Sequence, residues 1–229
     1  MKLLLLHVMG CDMHAIATTA EQAAVEPAQA PRGREVVVLV HGLLMVGPVM
    51  KPLEWRLRRA GFGVINWNYW TTRDNIEIHG QRLHRTLLDL DADPIVSSIH
   101  LLTHSMGGIV TRAALARGKP AKLGRIVMLA PPNHGSDVAR WLAPLLGSIV
   151  RPFRELSSGE GSYVRRAPGL EGVEFAVIAA RWDVLVQRES THLAGQRDHL
   201  VLNGFHTPLV WQSSTAQRAI RFLKTGRFS

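Results

Sequence analysis

The chain of 229 residues is 46% hydrophobic and 20% charged, enough apolar side chain for one globular core and too much for a disordered tail. One cysteine, Cys11, has no partner in the chain, which excludes a disulfide-stapled fold. A net charge of +9 favours anionic partners, nucleic acid and phospholipid surfaces among them, without choosing between them.

At the N-terminus Lys2 precedes four leucines and then His7-Val8-Met9-Gly10-Cys11. No apolar run reaches the roughly 18–20 residues that cross a bilayer. Val8 to Cys11 resembles the processing box of a bacterial lipoprotein, in which the cysteine carries the lipid. Two readings stand here: export with a membrane anchor on Cys11, or a cytoplasmic protein with an irregular leader. Residues 12–34 are rich in Ala, Thr, Gln, Glu and Pro and read as a linker ending at Pro31-Arg32-Gly33. The expected division is a leader and linker over 1–34 and one folded domain over 35–229. Lys2, Arg32 and Arg34 balance Asp12, Glu21 and Glu26, so the whole excess of positive charge belongs to that domain.

From there, strand and helix signals take turns. Val36 to Val40 is an unbroken β-branched and leucine run, as a strand buried on both faces requires. A helix is expected over Val49–Ala60, stopped by Gly61, then a strand over Gly63–Asn66 and a helix over Ile76–Leu90. The strand Ile99–Leu102 runs into Ser105 and a helix over Gly107–Ala116, closed by Gly118 and Pro120. Arg125–Ala130, Glu174–Ala180 and His199–Leu202 supply three more strands, and Ser214–Lys224 the last helix. This alternation predicts a doubly wound α/β domain: a mostly parallel sheet of about six strands with helices on both faces.

Parallel sheets carry their sites at the carboxyl ends of the strands. Thr103-His104-Ser105-Met106-Gly107-Gly108 lies directly between a strand and a helix. A serine there sits on a tight elbow with Oγ projecting above the sheet, and the crowded backbone needs small neighbours such as Gly107 and Gly108. Thr103 stands where glycine is usual. Here the sequence resembles the α/β-hydrolase superfamily, and within it the small bacterial lipase and esterase branch. The resemblance covers Val36 to Phe228. It rests on Val38-Leu39-Val40-His41-Gly42-Leu43, on Thr103 to Gly108, on Leu129 to Ser136 and on Asn203-Gly204-Phe205-His206-Thr207. Threonine at the first elbow position occurs in that branch.

The resemblance implies an ester hydrolase with Ser105 as nucleophile and partners in the order serine, acid, histidine. His206, in a loop after the last strand, is the expected base, with His199 its rival. Asp183, just past the strand ending at Ala180, is the expected acid, with Asp198 its rival. The N–H groups of Leu43 and Met106 are the expected oxyanion donors, supported by the turn residues His41 and Gly42. Residues 136–172 break the regular alternation and read either as a small cap or lid over an acyl pocket or as a packed helix with a solvated loop. Trp70, Trp141, Leu142 and Leu145 are the candidates to line that pocket or lid. No cofactor, metal site or nucleic-acid partner is expected, and oligomeric state is not legible. The expected partners are a small-molecule or lipid ester and an anionic membrane surface. The rival readings are a non-catalytic protein of this fold that binds a membrane or partner, and a hydrolase of thioester, amide or lipid acyl bonds.

Overall fold

A computed structural model describes residues 33–147 and 150–229. Cys11 and nearly all of the leader lie outside the described residues. In chain order the elements are β1 (Arg34–Val40), α1 (Lys51–Arg59), β2 (Gly63–Trp67), α2 (Ile76–Ala92), β3 (Val96–His104), α3 (Met106–Leu115) and β4 (Leu123–Leu129). Then come α4 (Asp137–Leu146), α5 (Pro152–Glu155), α6 (Tyr163–Arg166), β5 (Phe175–Ala180), β6 (Asp198–Leu202) and α7 (Ser213–Thr225).

The six strands form one sheet in the order β2-β1-β3-β4-β5-β6, and every pair is parallel. Side chains alternate across it with the two-residue period of a strand. Val36, Val38 and Val40 with Ile99 and Leu101 pack against Leu83 and Leu87 of α2 and Ile109 and Val110 of α3. Val37, Leu39, Leu102 and Val127 point the other way, onto Leu53 and Leu57 of α1 and Ala219 and Phe222 of α7. With both faces covered, the strands need no polar side, which is why β1 is read so easily from its run of valines. The sheet is the doubly wound α/β architecture.

Some elements differ from the expected bounds. The helix expected over Val49–Ala60 starts only at Lys51, preceded by a 3₁₀ turn over Gly47–Met50. The reason is Pro52: inside a longer α-helix its ring would clash with the carbonyl four residues earlier, so it is confined to the first turn. β3 runs three residues further at its start, and β6 begins at Asp198, one residue before the expected His199.

Between β4 and β5 the irregular stretch holds the three helices α4, α5 and α6. Ser136 caps α4, its side chain accepting the Ala139 N–H at 3.2 Å. Phe153, Leu156, Val164 and Leu170 are buried in the same apolar cluster as the inner faces of α2 and α3. The Glu155 carboxylate accepts the Ile76 N–H at the start of α2 (3.0 Å), and burial raises its pKa. Arg112 of α3 donates to the carbonyls of Pro168 (2.8 Å), Ala167 and Asn133 (3.1 Å). Burial pulls that guanidinium down to about 10, so it stays charged at neutral pH.

Candidate active site

Ser105 stands between β3 and α3 with φ +52° and ψ −124°, a backbone conformation that a residue with a Cβ rarely adopts. Its N–H donates to the Leu129 carbonyl at 2.8 Å, tying the elbow to β4. The tight approach of α3 to β1 falls on Gly107: a Cβ there would sit 2.3 Å from the Val40 oxygen and 2.8 Å from that of His41. At Gly42 a Cβ would meet Ser105 Cβ at 3.0 Å and His104 Nδ1 at 2.9 Å. Gly108 is less constrained, 3.1 Å from Pro131 Cβ. Thr103 is buried within β3.

Asp183 and His206 meet across two loops at the carboxyl ends of β5 and β6. The His206 Nδ1–H donates to Asp183 Oδ2 at 2.7 Å, and both side chains are buried. The other carboxylate oxygen accepts the N–H groups of Leu185 and Val186, each at 2.9 Å. The acid is therefore held by its own loop before it holds the histidine. With Nδ1 bonded to the carboxylate, the lone pair of His206 is left on Nε2, which is the arrangement a general base needs.

His104 lies beneath this pair, its ring 4.8 Å from that of His206. Its Nε2 is 3.2 Å from the His206 carbonyl, which can only accept, so the proton sits on Nε2. Burial, with His206 beside it, pulls the His104 pKa down to about 3 and keeps it neutral. The rival residues lie elsewhere. His199 stacks on His192 with ring centroids 3.9 Å apart and bonds Thr191 Oγ1 at 2.8 Å. Asp198 accepts the neighbouring His199 N–H.

Ser105, His206 and Leu43 line one cleft of about 250 Å³. Its far wall is apolar: Val138, Ala139 and Leu142 of α4, Phe153, Leu156, and Leu185 with Val186 from the acid loop. Of the four candidates for the pocket or lid, only Leu142 lines the cleft. Trp141 is 83% exposed, Leu145 77% and Trp70 76%, and none of the three is among the lining residues. On α4 the spacing of Val138, Ala139 and Leu142 marks one helix face, and Trp141 projects about 100° away from Leu142. Phe153 and Leu156 carry no motif that singles them out.

Leu43 sits on the turn that follows β1. The Leu44 N–H is taken by Thr71 Oγ1 (3.0 Å) and that of Met45 by the Gly42 carbonyl (3.3 Å). No acceptor among the described residues takes the N–H of Leu43. Met106 is the first residue of α3, where helix N–H groups have no intrahelical acceptor. Behind the turn, Tyr69 stacks on His41 at 4.5 Å and its O–H donates to the His41 carbonyl at 2.8 Å. Burial lowers the pKa of His41. Among the described residues no group of three or more His, Cys, Asp or Glu could hold a metal ion.

No protein-family model and no curated protein matches the sequence. Solved structures do match by fold. The mature lipase BlEst2 of Bacillus licheniformis is 16% identical with a TM-score of 0.65, over 88% of this chain and 96% of that one. Lipase B of Aspergillus fumigatus is 19% identical with a TM-score of 0.68, over 83% of this chain and 52% of the larger enzyme. Phospholipase PlaB of Legionella pneumophila is 16% identical with a TM-score of 0.62, over 85% of this chain and 60% of that one.

Proposed function

The fold is that of the α/β hydrolases, and from that premise we propose that the chain is a serine hydrolase of carboxylic esters with apolar acyl groups. The observation that carries the reading is that His206, paired with Asp183 at 2.7 Å, and the strained Ser105 line one small apolar cleft.

The chemistry runs in two halves. His206 Nε2 takes the proton of Ser105 Oγ as the oxygen attacks the ester carbonyl, while Asp183 holds the ring in the correct tautomer and stabilises its positive charge. The negative charge on the carbonyl oxygen is met by the N–H groups of Leu43 and Met106, fixed before the reaction starts. The C–O bond to the alcohol breaks, the alcohol leaves with the proton from His206, and an acyl group remains on Ser105. Water, deprotonated by His206, then attacks the acyl carbonyl, and Ser105 recovers its proton as the acid departs. Val138, Leu142, Phe153 and Leu156 give the acyl chain an apolar seat, worth about 0.8 kcal/mol for each methylene it buries.

The exposed Trp141, Leu145 and Trp70, with Arg140 on α4 and Arg154 on α5, favour delivery of substrate from an anionic lipid surface. A panel of p-nitrophenyl esters from acetate to laurate tests both parts. The expected result is turnover that rises from acetate to medium chains, and a further rise with phosphatidylglycerol vesicles but not with phosphatidylcholine ones. Turnover of every ester no faster than with heat-treated protein contradicts the hydrolase and favours a binding protein. Equal rates with both vesicles remove the membrane surface.

A further inference from the structure

We propose that Thr71 is a positioning residue that holds the turn after β1 in its oxyanion-binding shape; the inference rests on the proposed ester hydrolysis. Leu44 has φ +58°, and with Ser105 and Ala130 it is one of three described non-glycine residues in the left-handed region. All three follow carboxyl ends of strands, β1, β3 and β4, around the cleft. Such a conformation persists only where its surroundings impose it. Ser105 and Ala130 each have an N–H bonded into the sheet, to the carbonyls of Leu129 and Ile178 at 2.8 Å. Leu44 has no such bond, and its side chain is 66% exposed, so packing does not hold it either.

Beyond the 3.3 Å bond from the Met45 N–H to the Gly42 carbonyl that closes the turn, what holds it is Thr71. The Leu44 N–H donates to the hydroxyl oxygen of this buried threonine at 3.0 Å. The segment from β2 into the following loop grips the same turn on both sides. Tyr69 O–H bonds the His41 carbonyl (2.8 Å), Asn68 Oδ1 accepts the Gly47 N–H (2.9 Å) and Asn66 Nδ2 donates to the Gly47 carbonyl (2.8 Å). The ends of the turn at His41 and Gly47 are thus anchored independently of Thr71. Among the described residues, Thr71 supplies the one side-chain bond to the strained middle, beside the turn's own Met45 N–H to Gly42 carbonyl bond, and it fixes the peptide plane between Leu43 and Leu44. That plane adjoins the one carrying the Leu43 N–H, the donor proposed for the developing oxyanion. Loss of the bond leaves the turn in place at its ends and free to tilt that donor.

The test compares Thr71→Val, which keeps the shape and removes the acceptor, with Thr71→Ser, which keeps the acceptor, and with Thr71→Ala should the valine not be accommodated. Against a p-nitrophenyl ester, valine or alanine is expected to lower kcat by about 10- to 100-fold, the loss typical of a displaced catalytic donor, with KM within about threefold. Serine is expected to stay within about threefold of the parent. Affinity for a trifluoromethyl ketone, whose hemiketal oxygen occupies the same hole, falls by the same factor as kcat. A parental kcat in the valine and alanine variants overturns the inference, as does a serine variant that falls as far as valine or a ketone affinity that does not change. Ser105→Ala in parallel separates the two levels. If it is inactive while Thr71→Val is not impaired, only the role of Thr71 fails; if it is fully active, the ester-hydrolase reading fails with it.

Discussion

Ser105→Ala is expected to lower kcat/KM on a chromogenic ester by about 10³-fold or more without lowering the melting temperature. The change deletes one hydroxyl oxygen. Alanine is as ill-suited as serine to φ +52°, so the elbow keeps its strain, and the amides of Leu43 and Met106 are untouched. Asp183→Asn should cost a similar factor for a different reason. With the amide oxygen kept on the side of the Leu185 and Val186 N–H groups, the amide nitrogen meets Nδ1 and cannot accept from it, so the ring proton moves to Nε2, which then has no lone pair to take the serine proton. Groups that act as one unit are not additive. Combining the two substitutions is therefore expected to leave the same residual rate as Ser105→Ala alone. Two independent factors that multiply would mean that Asp183 acts on something other than the proton of Ser105.

Gly107→Ala is expected to have the largest effect on folding. Its Cβ would lie 2.3 Å from the Val40 oxygen and 2.9 Å from the Val40 carbonyl carbon. Both are backbone atoms of β1, which is hydrogen-bonded to β2 on one side and β3 on the other, so neither neighbour can rotate away. α3 must lift off the sheet, at a cost of about 3 kcal/mol or more. For a domain of this size that lowers the melting temperature by about 10 °C, at roughly 2–4 °C per kcal/mol. Gly161 provides the control, because nothing lies within 4 Å of a Cβ there. Gly108, facing the Pro131 side chain at 3.1 Å, should fall between them. Thermal melts of the three alanine variants check the order, and a Gly107→Ala protein as stable as Gly161→Ala would contradict it.

What could be read from the sequence follows from how local each cause is. The run Val36–Val40 announces a buried parallel strand because both of its faces are covered. The elbow was legible because Ser105 comes one residue after a strand and one before a helix, and no spacing is left to interpret. Asp183 and His206 could be placed at the ends of β5 and β6, but their 2.7 Å contact depends on two loops 23 residues apart in sequence. The cleft wall was harder. α5 and α6 are four residues each, too short to show a helical period or to be stable alone. They are held by tertiary bonds such as Glu155 to the start of α2. For the same reason Phe153 and Leu156 are not distinguishable in sequence from other core residues, and nothing local separates Leu142, which lines the cleft, from the exposed Trp141 beside it. Thr71 carries no motif at all, since its partner is a single backbone N–H of a turn 27 residues away.

The central claim is that Ser105 Oγ is a nucleophile activated by His206. It is tested most directly by reacting the folded protein with a fluorophosphonate and locating the adduct by peptide mass spectrometry. One adduct per chain is predicted, on the peptide that carries Ser105, absent from heat-denatured protein and formed far more slowly in His206→Gln. An adduct on another residue, or a folded protein that takes up none, would contradict the account.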